Sequence, residues 1–287
     1  MSGVPAFFAE YQDRVHAELR HLLREDGEEV ERAMAYTTLA PSKQVRAVLA
    51  LLCAELCRGQ AERAVPAAAA IEMVHAASLI LDDLPSMDDA PLRRGRRANH
   101  LAFGEAVAIL AAFGLLNLAY GEIARAYEPA VASRITGLLS DAVGPAGLIG
   151  GQALDLRAVD QQISFETLER IHRGKTGALF VAAAAAGAIT AGAAAEPVAA
   201  LAAYAKNLGL AFQIIDDLLD VAGDPALTGK VVRADARKTT FVSFSGVDGA
   251  RQLAAELCQT ADRSLAPFGA RADRLRELSA FVAARRL

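Results

Sequence analysis

This sequence has few cysteines and few aromatic residues, and it has no tryptophan. Its three cysteines are too scattered along 287 residues to form a disulfide framework, which favours a reducing compartment. The N-terminus lacks a basic segment followed by a long apolar run, so no secretory signal is predicted. We therefore expect a cytoplasmic protein.

An excess of charge of one sign is absent as well. Lysine and arginine number 30 against 34 aspartates and glutamates, and the net charge of −4 gives no electrostatic reason to expect nucleic acid as a partner. Hydrophobic residues make up 53% of the chain and charged residues 22%, which excludes a disordered or fibrous protein. No break in the pattern is long enough for an interdomain linker, so we predict a single domain over residues 1–287.

One long uncharged run occurs, at residues 176–195, and it has the length of a membrane span. It consists mainly of alanine and glycine, however, and residues of that size suit close packing inside a protein better than contact with lipid. The run therefore predicts an interior helix, and we expect no membrane span.

Strand signals are nearly absent, and apolar residues recur instead with the spacing of helices. Several segments are apolar on more than one face, which is typical of helices inside a bundle. The predicted fold is all-α. The predicted helices cover residues 5–25, 43–58, 66–81, 104–127, 129–142, 145–157, 165–172, 176–193, 196–221, 248–265 and 270–285.

Two clusters of aspartates stand at the ends of strongly apolar helices. The first, DDLPSMDD (82–89), holds four carboxylates in eight residues. The second, QIIDDLLD (213–220), places three carboxylates on one helical face. Such dense carboxylates repel one another and need cations. Because the clusters contain no histidine or cysteine, they suit hard, oxygen-preferring cations that bridge to substrate phosphates.

A single cluster of this kind is explained equally well by a solvated helix end. Two clusters, each above a long apolar wall, favour a pocket that holds a hydrocarbon below a diphosphate.

The spacing of these motifs resembles that of the trans-isoprenyl diphosphate synthases, the polyprenyl synthetase family. Asp82-Asp83-x4-Asp88 is followed by RRG (93–95), and the second cluster has the family's spacing. The segment LILDDLPSMDDA (79–90) is especially similar to bacterial geranylgeranyl diphosphate synthases. Three further segments match the family, so that the resemblance covers nearly the whole chain: GQALDL (151–156), GKTGALF (174–180) and LRELSAFVAAR (275–285).

This resemblance implies an all-α, isoprenoid-synthase-type bundle with a central cavity. It also implies a prenyltransferase that condenses isopentenyl diphosphate with allylic diphosphates, with geranylgeranyl diphosphate as the expected product. By the resemblance, about three Mg²⁺ ions assist ionisation of the allylic substrate. Their expected ligands are Asp82, Asp83, Asp88, Asp216, Asp217 and Asp220.

The resemblance also implies roles for residues outside the two clusters. Contacts to the leaving diphosphate are expected from Arg93, Lys175, Lys230 and, as a weaker candidate, Lys238. Oxygens facing the developing carbocation are expected from Thr176 and Gln213, which use fixed dipoles rather than full charges.

Isopentenyl diphosphate does not ionise and is expected to be held by protein cations. The residues that match the family's contacts for it are Lys43, Arg46, His75 and Arg94, with Phe212 as a flanking aromatic. For His75 a histidine satisfied within the core remains the alternative.

The segment at the start of the predicted helix 43–58 departs from the family pattern. The family usually has Gly-Gly-Lys-Arg-x-Arg-Pro, whereas this chain has PSKQVRA (41–47), so that one expected cation is replaced by Gln44. We expect weaker binding of isopentenyl diphosphate as a consequence.

Product length is expected to depend on Ala77 and Ser78, which lie about one helical turn, roughly 6–7 Å, below the first cluster. Both are small, and in this family a bulky aromatic residue near this place tends to stop elongation at fifteen carbons. We expect a twenty-carbon product, with Phe113 as a guess for the cavity floor.

Other functions are weighed against this one. A shorter-chain farnesyl diphosphate synthase is the first alternative. A terpene cyclase would normally pair one aspartate cluster with a different metal motif and would have more aromatic residues. A non-catalytic subunit of a heteromeric synthase would have little reason to keep both clusters. The family suggests a homodimer.

Overall fold

The computed structural model describes residues 5–222 and 238–284, and most of them are helical. This confirms the all-α prediction. The α-helices are α1 (Ala6–Leu22), α2 (Glu29–Thr38), α3 (Val45–Leu56), α4 (Val65–Asp82), α5 (Asn99–Phe103), α6 (Glu105–Ala126), α7 (Pro129–Val143), α8 (Leu148–Ala158), α9 (Phe165–His172), α10 (Ala178–Thr190), α11 (Ala195–Ala222), α12 (Phe241–Ser264) and α13 (Asp273–Ala283). Short 3₁₀ turns occur at Ala61–Ala64 and Ala266–Ala272, and a π-helical turn at Arg173–Gly177.

Helices α4 and α10 form the centre of the bundle. Helix α4 packs against α1, α3, α6 and α10, and α10 packs against α3, α7 and α11. Nearly every residue of α10 is buried, which confirms that the uncharged run is an interior helix. At Gly187 an added Cβ would lie 2.0 Å from the carbonyl oxygen of Ala50, so glycine is required where α10 crosses α3.

Several elements differ from the predicted helices, among them α5, which was not predicted. Helix α2 was not predicted; it begins with a capping box in which the side chains of Glu28 and Glu31 each accept the other residue's backbone N–H. Helix α12 begins at Phe241, well before predicted residue 248, and bends at Gly246, whose φ is 70°. Both starts rely on capping contacts rather than on apolar periodicity, which explains why periodicity missed them.

A short hairpin follows the first aspartate cluster. Its strands β1 (Leu92–Arg93) and β2 (Arg96–Arg97) are antiparallel, and both loop residues, Arg94 and Gly95, have positive φ. The amide of Asn99, just after the hairpin, donates hydrogen bonds to two oxygen atoms of α2. The unpredicted helix α2 therefore holds the hairpin in place.

By length and composition alone, three helical segments of the described residues could cross a membrane: Ala61–Asp82, Glu105–Ala126 and Ala195–Val221. The first of them has 67% of its most apolar window buried inside the protein. The expectation of no membrane span stays a prediction.

Candidate active site

The two aspartate clusters lie at the carboxyl ends of α4 and α11. Asp82 is the last residue of α4, and Asp216, Asp217 and Asp220 occupy the last two turns of α11. A helix carries partial negative charge at this end, so carboxylates there are destabilised unless cations are close. Burial also raises the pKa of Asp82, an effect that the ammonium group of Lys175 opposes. Both helix ends are therefore suited to attract cations.

Two lysines connect the first cluster to a carboxylate outside it. The Nζ atom of Lys175 lies 2.8 Å from Asp155 Oδ2 and 3.8 Å from Asp82 Oδ2. The Nζ atom of Lys238 lies 3.1 Å from the same Asp155 oxygen and 2.9 Å from Asp88 Oδ1. The backbone N–H of Asp88 donates to the carbonyl of Asp82, which folds the cluster back on itself. We call these five residues the lysine–aspartate chain.

Lys175 is presented by the π-helical turn Arg173–Gly177. Such turns are rare and occur frequently at functional sites. Helix α8 contacts this turn directly, because an added Cβ on Gly151 would lie only 2.2 Å from the backbone nitrogen of Lys175. Asp155 follows about one turn later on α8 and so reaches the ammonium group.

A second set of contacts joins the π-helical turn to α11. The hydroxyl of Thr176 donates to Gln213 Oε1 (2.8 Å), and the amide of Gln213 donates to Asp217 Oδ1 (3.0 Å). The other oxygen of Asp217 accepts the backbone N–H of Phe241 at the start of α12. The structure thus brings together three predicted site residues and attaches α12 to them.

The aspartates of the first cluster differ in their partners. Asp83 is 1% exposed and accepts hydrogen bonds from Arg93 on the hairpin, whose Nε lies 3.0 and 3.1 Å from the two carboxylate oxygens. Asp82 and Asp88 face lysines instead. Asp83 therefore fixes a predicted diphosphate contact, while its role as a metal ligand stays a prediction.

Two of the residues predicted for isopentenyl diphosphate, Arg46 and His75, are also in contact. The Nη1 atom of Arg46 lies 3.4 Å from His75 Nε2, and its guanidinium group stacks over the ring of Phe180 at 4.6 Å. Arg94 donates to two carbonyl oxygens of the segment 37–40. Burial lowers the pKa of His75 well below its usual value, and the charges of Arg46 and Arg94 lower it further. A neutral His75 can accept a hydrogen bond from Arg46.

Two further predicted residues, Phe212 and Ser78, contact this group. The ring of Phe212 lies 5.4 Å from that of Phe180. Ala77 is 1% exposed within the core, whereas Ser78 is partly exposed and donates its hydroxyl to the carbonyl of His75. Lys230 lies outside the described residues.

Three residues at the site were missed by the sequence reasoning. Gln12 of α1 donates from its amide to the carbonyl oxygens of Ser42 and Lys43, both at 3.0 Å. Glu72 accepts the backbone N–H of a residue in the first turn of α3. Asp155 lies in the segment GQALDL, a match to the family to which no role had been given.

Among the described residues, no group of three or more histidine, cysteine, aspartate and glutamate side chains is gathered closely enough to hold a metal ion. Mg²⁺ is usually bound through one or two carboxylates together with substrate phosphates, rather than in a cage made by the protein alone. The separate carboxylates of Asp82, Asp88 and Asp216 are the kind of donor that such an ion uses.

The chain is similar over most of its length to several known proteins. A dimethylallyltranstransferase from Fischerella ambigua is 40% identical over 290 residues, covering 99% of this chain and 84% of that protein. A chloroplastic geranylgeranyl pyrophosphate synthase from Capsicum annuum is 40% identical over 84% of this chain and 67% of its own length.

A solved structure of an FPP/GFPP synthase from Zymomonas mobilis, without ligand, superposes with a TM-score of 0.86. It is 32% identical and covers 97% of this chain and 98% of its own. The polyprenyl synthetase family model matches residues 27–261, which include both aspartate clusters and the π-helical turn between them. The chain therefore belongs to the polyprenyl synthetase family and is a trans-prenyltransferase.

Proposed function

We propose that this enzyme condenses isopentenyl diphosphate with allylic prenyl diphosphates and makes geranylgeranyl diphosphate. The observation that carries the proposal is that protein cations occur in two different sets of contacts. Lys175 and Lys238 contact carboxylates of the first cluster, whereas the Arg46 guanidinium contacts a neutral His75 and the ring of Phe180. Two diphosphates that undergo different chemistry require two such groups.

The first group suits the substrate that ionises. When its C–O bond breaks, the electron pair leaves with the diphosphate, and that growing negative charge must be neutralised. Arg93, Lys175 and Lys238 are the protein cations for this charge, with Lys230 as a further candidate. Mg²⁺ bound by the clusters, about three ions by family resemblance, would add to this neutralisation without proton transfer.

The carbocation left behind needs a different neighbour. The oxygens of Thr176 and Gln213, which are hydrogen-bonded to each other, would stabilise it through their dipoles. The double bond of isopentenyl diphosphate then attacks this carbon, and loss of one proton restores the alkene. A full negative charge at this place would instead trap the cation.

The second group suits the substrate that stays intact. Lys43, Arg46, His75 and Arg94 would hold the diphosphate of isopentenyl diphosphate, with Phe212 beside its hydrocarbon. Arginine favours bidentate contact with phosphate. The stacking of Arg46 on Phe180 fixes its guanidinium plane in advance of binding.

The product assignment depends on α4. His75, Ser78, Leu79 and Asp82 are partly exposed, although α4 is surrounded by other helices. Such a stripe indicates a cleft inside the bundle, along which a prenyl chain would lie. The Ser78 side chain on this stripe is small, which favours a twenty-carbon product over the fifteen-carbon product of the farnesyl alternative.

The assembly and location are also proposals. We infer a homodimer formed through α6, whose outer face exposes Ile109, Leu110 and Phe113. We further propose that the enzyme acts in the cytoplasm.

The test is to supply radiolabelled isopentenyl diphosphate with dimethylallyl, geranyl or farnesyl diphosphate, Mg²⁺ and the purified chain alone. Products are dephosphorylated and separated by chromatography. Geranylgeraniol supports the proposal, and farnesol as the final product supports the shorter-chain alternative. A cyclic hydrocarbon without incorporation of label would indicate a cyclase. Activity that appears only with a second protein would indicate a subunit of a heteromeric synthase.

A further inference from the structure

We propose that Asp155 is a positioning residue that holds the ammonium groups of Lys175 and Lys238 together at the leaving diphosphate. This inference rests on the proposed function, because it assigns both lysines to that group. It concerns a carboxylate outside the two aspartate clusters.

The geometry of Asp155 differs from that of an ordinary ion pair. One oxygen, Oδ2, accepts hydrogen bonds from both lysines, at 2.8 and 3.1 Å. The residue is buried, and an ionised carboxylate in such a place is retained only where cations compensate it. Burial alone would raise the pKa of Asp155, but the two ammonium groups lower it below the usual value. Asp155 therefore remains charged.

The lysines have a second set of partners that they must give up. Each lies near a carboxylate of the first cluster, Lys175 near Asp82 and Lys238 near Asp88. These five charged groups sum to −1, from three carboxylates and two ammonium groups. If a diphosphate binds at the cluster, the lysines must turn from Asp82 and Asp88 toward it. Asp155 is a partner common to both lysines among the described contacts, and it can keep them side by side while the others change.

The fold places Asp155 at this position by close packing. Lys175 lies on the π-helical turn, and Gly151 lets α8 approach the backbone of that turn. Asp155, about one turn later on α8, then reaches both ammonium groups. Its contact to Lys238 spans 83 positions of sequence and holds residue 238, three positions before α12, at the same point.

A purely structural role predicts something different. If Asp155 served only to neutralise buried lysines, its replacement would lower stability without a selective effect on one substrate. A positioning role instead predicts weaker binding of the allylic diphosphate and of inorganic pyrophosphate, with isopentenyl diphosphate little affected.

The experiment compares the wild-type enzyme with Asp155→Asn and with Asp141→Asn, which removes an exposed carboxylate of α7. Binding of inorganic pyrophosphate at a fixed Mg²⁺ concentration is measured by calorimetry, and KM is measured for each substrate. We expect Asp155→Asn to weaken pyrophosphate binding about tenfold or more and to raise the allylic KM similarly. The KM for isopentenyl diphosphate and all values for Asp141→Asn should stay close to wild type.

A double-mutant cycle with Lys238→Met tests whether Asp155 acts through the lysine. We expect Asp155→Asn to cost less pyrophosphate affinity in the Lys238→Met background than in the wild type, because one held group is already gone. Wild-type pyrophosphate affinity in a folded Asp155→Asn variant, or additive effects in the cycle, would overturn the proposal.

Two further arms keep the result unambiguous. If Asp155→Asn does not fold, Asp155→Glu keeps the charge but displaces it by one methylene, and unchanged pyrophosphate affinity in that variant would also overturn the proposal. Pyrophosphate binding requires no turnover. A wild-type enzyme that binds pyrophosphate but makes no prenyl product would therefore refute the proposed function and leave the role of Asp155 to be judged by the binding data.

Discussion

The aspartates of the two clusters differ in the groups that contact their carboxylates. Asp82 and Asp88 face lysine ammonium groups, and Asp83 is enclosed by the guanidinium group of Arg93. Asp217 accepts hydrogen bonds from an amide and a backbone N–H. We infer that Asp82 and Asp88 are more available to an added cation than Asp83, which positions Arg93.

This difference leads to a prediction about metal dependence. Asp82→Asn and Asp216→Asn should each lower turnover by at least about three orders of magnitude, or about 4 kcal/mol, because neutralisation of the leaving group is lost. Asp89→Asn is the matched control: Asp89 belongs to the same cluster but is exposed, and asparagine tolerates its positive φ. Steady-state rates with and without excess chelator check the prediction. Full activity in chelator would refute the metal-assisted mechanism.

A second prediction for a single residue concerns Gln44. It stands where the family usually has a cation, directly before α3, and is 8% exposed with a left-handed backbone. Gln44→Arg should lower the KM for isopentenyl diphosphate without changing the allylic KM, by an amount that corresponds to at most about 1.5–3 kcal/mol.

Gln60→Arg adds the same charge at an exposed position and should change neither KM. A raised KM for isopentenyl diphosphate in Gln44→Arg would mean that repulsion by Arg46 outweighs the new contact.

At the scale of elements, the sequence predicted the long apolar helices and the short helix α9, and it missed α2 and α5. Helices α4, α6 and α11 are long enough for periodicity to be read, and their observed bounds lie within a few residues of the predicted ones. The π-helical turn bridges the gap between the predicted helices 165–172 and 176–193, and it was not predicted because apolar spacing does not report i−5 hydrogen bonds.

The same limit applies to the site. The spacing within each aspartate cluster predicts which carboxylates share a helical face, and the family resemblance points to lysines and arginines elsewhere. Neither predicts the contact between Asp155 and Lys175, which depends on how closely α8 packs at Gly151. Gln12 was missed for a similar reason, since it belongs to no motif and acts on backbone carbonyls.

Helix α4 allows a prediction about product length. Ser78 is partly exposed on the same face as Asp82, whereas Ala77 is 1% exposed and packed in the core. Ser78→Tyr should therefore shift the product from geranylgeraniol toward farnesol, because the aromatic ring would obstruct the growing chain. Chromatography of dephosphorylated products measures the shift.

Ala77→Tyr is the comparison variant on the neighbouring position. Forcing a tyrosine into a packed site should cost about 1–3 kcal/mol of unfolding free energy or more. The effect of Ala77→Tyr should therefore be a lowered melting temperature rather than a shift in product length alone. A stable, active Ser78→Tyr enzyme with the parental product spectrum would contradict the proposed path of the chain.

At the scale of the whole molecule, the net charge of −4 conceals a strongly uneven distribution. Carboxylates, lysines and arginines converge at one end of α4, while the opposite end of that helix and all of α10 are nearly uncharged. This arrangement places a polar site above a long apolar bundle. A protein without net positive charge can therefore carry a local site for phosphate.

The outer face of α6 exposes large apolar side chains: Phe113 is 65% exposed and Leu110 is 55% exposed. Phe113 therefore does not line the interior of a single chain, and its expected place at the cavity floor was wrong. Covering this face with a second copy would remove apolar surface from water.

We expect a dimer by light scattering after size exclusion, and Phe113→Glu should produce monomers because it places a charge on that face. Ile149→Glu, at an exposed apolar residue of α8, should leave the dimer intact. A monomeric wild-type enzyme that binds phosphatidylcholine vesicles through α6 would contradict this, since α6 is also apolar and long enough to contact lipid.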